Sequence, residues 1–208
     1  MTFKEKYSAF FGRAPDLVLS PMANDPRSPF VYRFPPTSAG FFKRIFTPLS
    51  SDCVFMTEGM SSHEMLVPPG EQRLYPSRIE LLACSSGAIV AGPDRRDVVT
   101  SILQRLAVIP FQQKIFFGPL HTFDFQENIC VNSAMTGFVF AVPDGLDMRR
   151  LCSCTPSAQL VVSLVPVAAN EIRYAKDKGS DQLLAQLESA GVPPVFDLFR
   201  KEVRLPAT

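Results

Sequence analysis

The chain has 208 residues, 46% of them hydrophobic and 20% charged, which is the make-up of a globular domain with one buried core and not of a disordered polymer. Lys and Arg total 21 against 20 Asp and Glu, a formal net charge of +1, so no global field draws the chain to nucleic acid or to an anionic membrane. No apolar stretch has the length of a membrane span, and the N-terminus lacks the apolar run of a signal peptide, so a soluble, cytoplasmic protein is expected.

The five cysteines, Cys53, Cys84, Cys130, Cys152 and Cys154, are odd in number and scattered, as free thiols of a reducing compartment would be. Cys152 and Cys154 have no second Cys or His pair nearby to complete a zinc site, so neither a metal nor a cofactor is expected.

Phe3, Tyr7, Phe10 and Phe11 recur at helical spacing and stop at Gly12, which predicts a short helix with an aromatic face. Leu17–Leu19 lies in a strand-like run fenced by Pro15 and Pro21. Phe30 to Phe34 alternates, which predicts a half-buried strand with Phe30, Tyr32 and Phe34 on one face and Val31 and Arg33 on the other. Phe41 to Phe46 is a second aromatic run. Cys53 to Thr57 suits a buried strand, and Gly59 marks a turn expected to display Glu58, Met60 and Ser61.

In the run from Ser77 to Cys84, Ile79, Leu81 and Ala83 share a face, and Glu80 opposite them is expected to face solvent or pair with an arginine. From Pro93 the period changes: Val98, Val99, Ile102, Leu103 and Leu106 form one stripe of an amphipathic helix, with Asp94 and Asp97 suited to its N-terminus. Lys114 to Phe123 is apolar but broken by Gly118 and Pro119, which fits an irregular edge strand. Ala134 to Val142 predicts a strand with a bulge or close approach at Gly137, followed by a turn at Pro143-Asp144-Gly145. Asp147 to Pro156 has no clear pattern. Leu160 to Val165 is nearly all apolar and reads as a central strand, and two helices follow, broken at Gly179 and ended by Gly191. Strands first and covering helices later argue for an α+β fold with a mixed, mainly antiparallel sheet covered by amphipathic helices. One domain is expected over residues 1–208, its core about 7–200, with residues 201–208 frayed.

These landmarks, taken in order, resemble the suppressor-of-fused (SUFU) domain family. They are Tyr7 to Gly12, Phe30 to Thr37, Thr57 to Ser61, Arg78 to Leu81, Gly118 to Thr122, Val165 to Ile172 and Lys178 to Leu184. The resemblance implies a SUFU-like single domain that works by binding protein. Animal members clamp an extended peptide of a transcription factor between two lobes, a form of strand addition, and bacterial single-domain members look like immunity proteins that neutralise partner toxins. This chain has the length of the first lobe, as in the bacterial type. The family's peptide-contacting region maps here to Ile109 and to Ile115 through His121, where an acidic residue of the animal members is matched by Pro119 or Leu120. The candidate partner-binding residues are therefore Ile109, Ile115, Phe117, Gly118, Leu120 and His121, with Glu58 and Met60 on the neighbouring turn. The expected partner is a protein, either a toxin domain or a peptide segment, and not nucleic acid or a membrane.

Enzyme chemistry lacks convergent groups in the sequence. Ser61-Ser62-His63-Glu64 places a hydroxyl, an imidazole and a carboxylate side by side, but catalytic groups gather from distant segments, and neither a Gly-x-Ser-x-Gly nor a phosphate-binding loop is present. No catalytic residue is assigned. A non-toxin adaptor domain is the first alternative, and a hydrolase using His121 or His63 the second.

Overall fold

The computed structural model describes residues 2–23, 25–35, 52–86, 93–143, 146–155 and 157–206; the aromatic run 41–46, the turn residues 144–145 and the side chains of 93–97 lie outside them. Helix α1 (Phe3–Phe11) starts at a capping box. The Thr2 hydroxyl accepts from Glu5 N–H, the Glu5 carboxylate accepts from Thr2 N–H, and Gly12 closes the far end.

Strands β1 (Leu17–Leu19), β2 (Phe30–Phe34), β3 (Asp52–Glu58) and β4 (Ile79–Ser86) form an antiparallel succession. Helix α2 (Pro93–Gln113) crosses to β5 (Thr122–Asp124) and β6 (Met135–Ala141). Helix α3 (Met148–Ser153) precedes the central strand β7 (Leu160–Ala168), and α4 (Ala169–Lys178) and α5 (Ser180–Ser189) follow. The seven strands form one sheet in the order β1-β2-β3-β4-β7-β6-β5, antiparallel throughout except for the parallel pair β4–β7. This is the mixed, mainly antiparallel α+β architecture expected.

Alternation along the central strands divides the core in two. Phe55, Leu81, Ala83, Val162, Leu164, Phe138 and Phe140 turn to the face covered by α2, whose Val99, Ile102, Leu103 and Leu106 meet them. On the other face, Val54, Met56, Leu82 and Val161 meet the aromatics of α1 and Leu151 of α3, while Val139, Val165 and Val167 meet α4 and α5. A sheet covered on both sides explains why β6 and β7 are nearly unbroken apolar runs.

Several expectations change. Strand β2 is not half-buried: Val31 enters the α2 core, and the buried guanidinium of Arg33 is satisfied by a two-armed ion pair with Asp16. Helix α2 runs through Pro110 and ends three residues later, where Lys114 takes a positive φ and Ile115 N–H returns to the Pro110 carbonyl. The unpatterned stretch after Asp147 is helix α3, started by the Asp147 carboxylate accepting from Arg150 N–H. Its Cys152 and Cys154 thiols are pushed up by burial, which makes them poor nucleophiles.

The tail is also held further than expected. Phe196 N–H donates to the Cys84 carbonyl at 2.6 Å and its ring stacks on Phe138, while Val203 N–H donates to Glu171 at 2.8 Å. Arg200 makes a buried ion pair with Glu171 and donates to the Pro166 carbonyl, so the segment straps the sheet to α4.

Candidate functional site

The turn after β3 is built inward. Gly59 has φ +108°, a conformation that side chains resist, and the chain then folds back over β4. There the fully buried Glu80 carboxylate accepts from Thr57 Oγ1 at 2.5 Å, from Gly59 N–H at 3.0 Å, and from Ser61 N–H and Oγ at 3.0 and 2.6 Å. Glu80 neither faces solvent nor pairs with an arginine, as the alternation had suggested. Four donors from the end of β3 and the turn after it satisfy it instead. Burial still raises its pKa, more than those hydrogen bonds lower it.

Met60 and Ser61 are buried with it, so the turn does not display them. Glu58 is half-buried beside Tyr32. Burial raises its pKa, the Tyr32 hydrogen bond lowers it and the Glu80 charge raises it further. Ser61 donates to a carboxylate and not to a histidine, and His63 rests its ring on Phe111 at 5.6 Å. The Ser-Ser-His-Glu run therefore does not assemble into a dyad.

From this turn a loop runs over residues 63–78 and reaches the segment 115–121. Arg78 holds the base of the loop by donating to Glu64 Oε1 and to the Ser61 and Ser62 carbonyls. Met65 N–H donates to the Ser77 carbonyl, and the Met65 sulfur accepts from Phe117 N–H at 3.4 Å. Further out, the Tyr75 ring lies against Gly118 so closely that a Cβ there would collide with it, and its centroid is 4.5 Å from His121 and 5.4 Å from Phe116. Tyr75 had no signature in the sequence. Only the loop's tertiary path brings it to Gly118.

The candidate residues separate at this point. Ile109 and Phe117 are core, Phe117 stacking on Phe140 at 4.4 Å, and Gly118 is covered by Tyr75, so none of the three is an exposed contact residue. Ile115 is partly buried against the α2-face core. Leu120 is 46% exposed at φ +65°, and the loop adds Leu66 and Leu74 at 65% and 75%. His121 is half-buried against Tyr75 and Phe116. Its pKa is lowered by burial, while the Phe116 backbone and the Glu71 charge act in the other direction.

Past His121 the chain enters β5, the last strand of the sheet. Phe140 N–H donates to the His121 carbonyl and Phe125 N–H to the Thr136 carbonyl, so the odd-numbered residues 121, 123 and 125 carry the bonded pairs. Alternation in an antiparallel ladder then turns the N–H and C=O of Thr122 and Asp124 away from β6. This edge lies beside the exposed Leu120. At the opposite end of the sheet, β1 is only three residues long and fenced by Pro15 and Pro21, which blunts it.

Residues 50–201 match the family model described as Suppressor of fused protein (SUFU). The chain belongs to the suppressor of fused family. No curated protein matches it. Solved structures share the SUFU fold at low identity. A SUFU homologue from Neisseria gonorrhoeae superposes with a TM-score of 0.60 at 12% identity, covering 99% of this chain and 96% of that one. Drosophila Suppressor of Fused gives 0.61 at 14% identity, covering 90% of this chain and 46% of that one, so this chain spans about half the Drosophila protein. A chain of a Sufu–Fu complex gives 0.58 at 12%, covering 88% of this chain and 81% of that one.

Among the described residues no helix is long and apolar enough to cross a membrane, and no three His, Cys, Asp or Glu side chains converge as metal ligands.

Proposed function

We propose that this chain is a protein-binding domain of the immunity type, which binds and neutralises a partner bacterial toxin through the lip formed by residues 115–121 and the edge of β5. The observation that carries the reading is the outward N–H and C=O groups of Thr122 and Asp124 beside the exposed Leu120. Strand groups that point outward from a sheet edge accept an extended segment, and an apolar side chain at their border gives that segment a contact that water cannot replace. Membership of the SUFU family supports a protein partner, and one structural relative is a SUFU protein in a complex named for its partner Fu. The Neisseria gonorrhoeae homologue, matched over 96% of its chain, supports comparing this domain with a bacterial SUFU protein.

The same geometry favours binding over catalysis. Ser61 is buried and committed to Glu80, so it offers no hydroxyl to a substrate, and the His121 ring packs on Tyr75 and Phe116. The test is capture of the native complex and identification of the partner, followed by co-expression with the partner domain. Rescue of growth that Leu120→Asp abolishes supports the immunity reading. Capture of a non-toxic partner through the same lip would replace it with the adaptor reading, and capture that ignores Leu120→Asp would overturn the lip.

A further inference from the structure

We propose that His121 is a pH-sensitive latch that holds the lip in the geometry presenting Leu120. The inference rests on the reading of 115–121 as the binding lip. Three features fix that geometry. Leu120 N–H donates to the Phe140 carbonyl at 2.7 Å, His121 N–H donates to the Gly118 carbonyl at 3.1 Å, and the His121 ring closes a three-ring cluster with Tyr75 and Phe116, its centroid 4.5 and 4.8 Å from theirs. The backbone bonds hold Leu120 at a positive φ that a leucine leaves once released. The imidazole is therefore one of the contacts that join loop 63–78 to the lip, beside Tyr75 against Gly118 and Met65 against Phe117, and it is the one whose charge changes near neutral pH.

A neutral imidazole suits that cluster, because the half-buried ring packs against two aromatic rings, tilted on Tyr75 and edge-on to Phe116. A second proton places a full charge in a half-buried, mostly apolar setting. Tyr75 is the titratable group in ring contact, and Glu71 on the same loop is the charged group acting on the ring; its carboxylate favours the imidazolium but less strongly than burial opposes it. The closed lip thus binds a proton less readily than an open lip with a solvated histidine. As pH falls through the ordinary histidine value of about 6.5, opening gains until the closed-state pKa is reached.

The test uses the free protein in a His63→Asn background, where His121 is the only histidine. Amide exchange at Leu120 and His121, corrected for intrinsic pH dependence, is followed from pH 7.5 to 5 beside the His121 ring proton. Protection is expected to fall by up to about tenfold per pH unit below 6.5, with a ring midpoint under 6.5. In His121→Phe, which keeps a ring but cannot titrate, protection should stay constant. A ring midpoint at or above 6.5, constant protection in the parent, or an equal loss in His121→Phe overturns the latch. If His121→Phe does not fold, the parent titration alone decides. No partner enters these measurements, so failure to find one leaves the latch standing, and constant protection alongside Leu120-dependent capture removes the latch and keeps the lip.

Discussion

Ser61 donates both its backbone N–H and its hydroxyl to a single oxygen of Glu80, 19 residues away and at the centre of the fold. With Gly59 and Thr57 completing the set, one carboxylate organises the whole turn after β3. Glu80→Ala strands these donors, and a loss of roughly 3 kcal/mol in urea unfolding is expected. Glu80→Gln keeps an acceptor oxygen and should lose roughly 1 kcal/mol.

The same residue sets a pH dependence. The folded-state pKa of Glu80 is raised, so its stabilising contribution is fully present below the unfolded value and declines as pH rises through the folded one. Glu58 shifts in the same direction. The deficit of Glu80→Gln relative to the parent should therefore narrow between pH 4 and pH 8. A deficit that widens with pH would show that the hydrogen bonds outweigh burial.

Gly118 and Tyr75 form a matched pair. Gly118→Ala drives a Cβ into the Tyr75 ring and should cost about 1–3 kcal/mol while raising amide exchange across residues 71–78. Tyr75→Ala removes the obstacle, so the double variant should be more stable than the sum of the single changes implies. Strict additivity in that cycle would mean the two residues do not meet.

Leu120 should separate stability from binding. Its positive φ costs about 1–2 kcal/mol in a residue with a Cβ, so Leu120→Gly should leave the midpoint of thermal unfolding unchanged or raise it. Removing the exposed isobutyl group should at the same time weaken partner capture at least tenfold, on the order of 1.4 kcal/mol. Loss of stability with binding intact is the outcome that contradicts this role.

The ion pair between Glu171 and Arg200 closes the C-terminal strap over α4. Arg200→Ala leaves the Glu171 carboxylate buried without its cation and should cost about 3–5 kcal/mol, with early proteolysis after residue 193. Combining it with Glu171→Gln should recover part of that loss, because the uncompensated charge is gone.

Local chemistry in the chain was enough to place most elements. Helix α1 announces itself by aromatic spacing and a glycine stop, β7 by a nearly all-apolar run, and Gly59 by its position between a strand and polar residues, because period and backbone freedom are properties of neighbours in sequence. The ordered landmarks also carried the family. What the sequence left open depends on distant segments. Alternation put Glu80 opposite the apolar face but could not show that α1 and the turn after β3 cover that side. The family resemblance marked Ile109 and Phe117, and the glycine turn marked Met60, as candidates with no means of telling an exposed anchor from a core residue. The role of Tyr75 depends on a loop path that no local pattern encodes. Burial and long-range hydrogen bonding are settled only when the sheet is covered, so tertiary structure alone decided that Leu120 and the edge of β5 face outward.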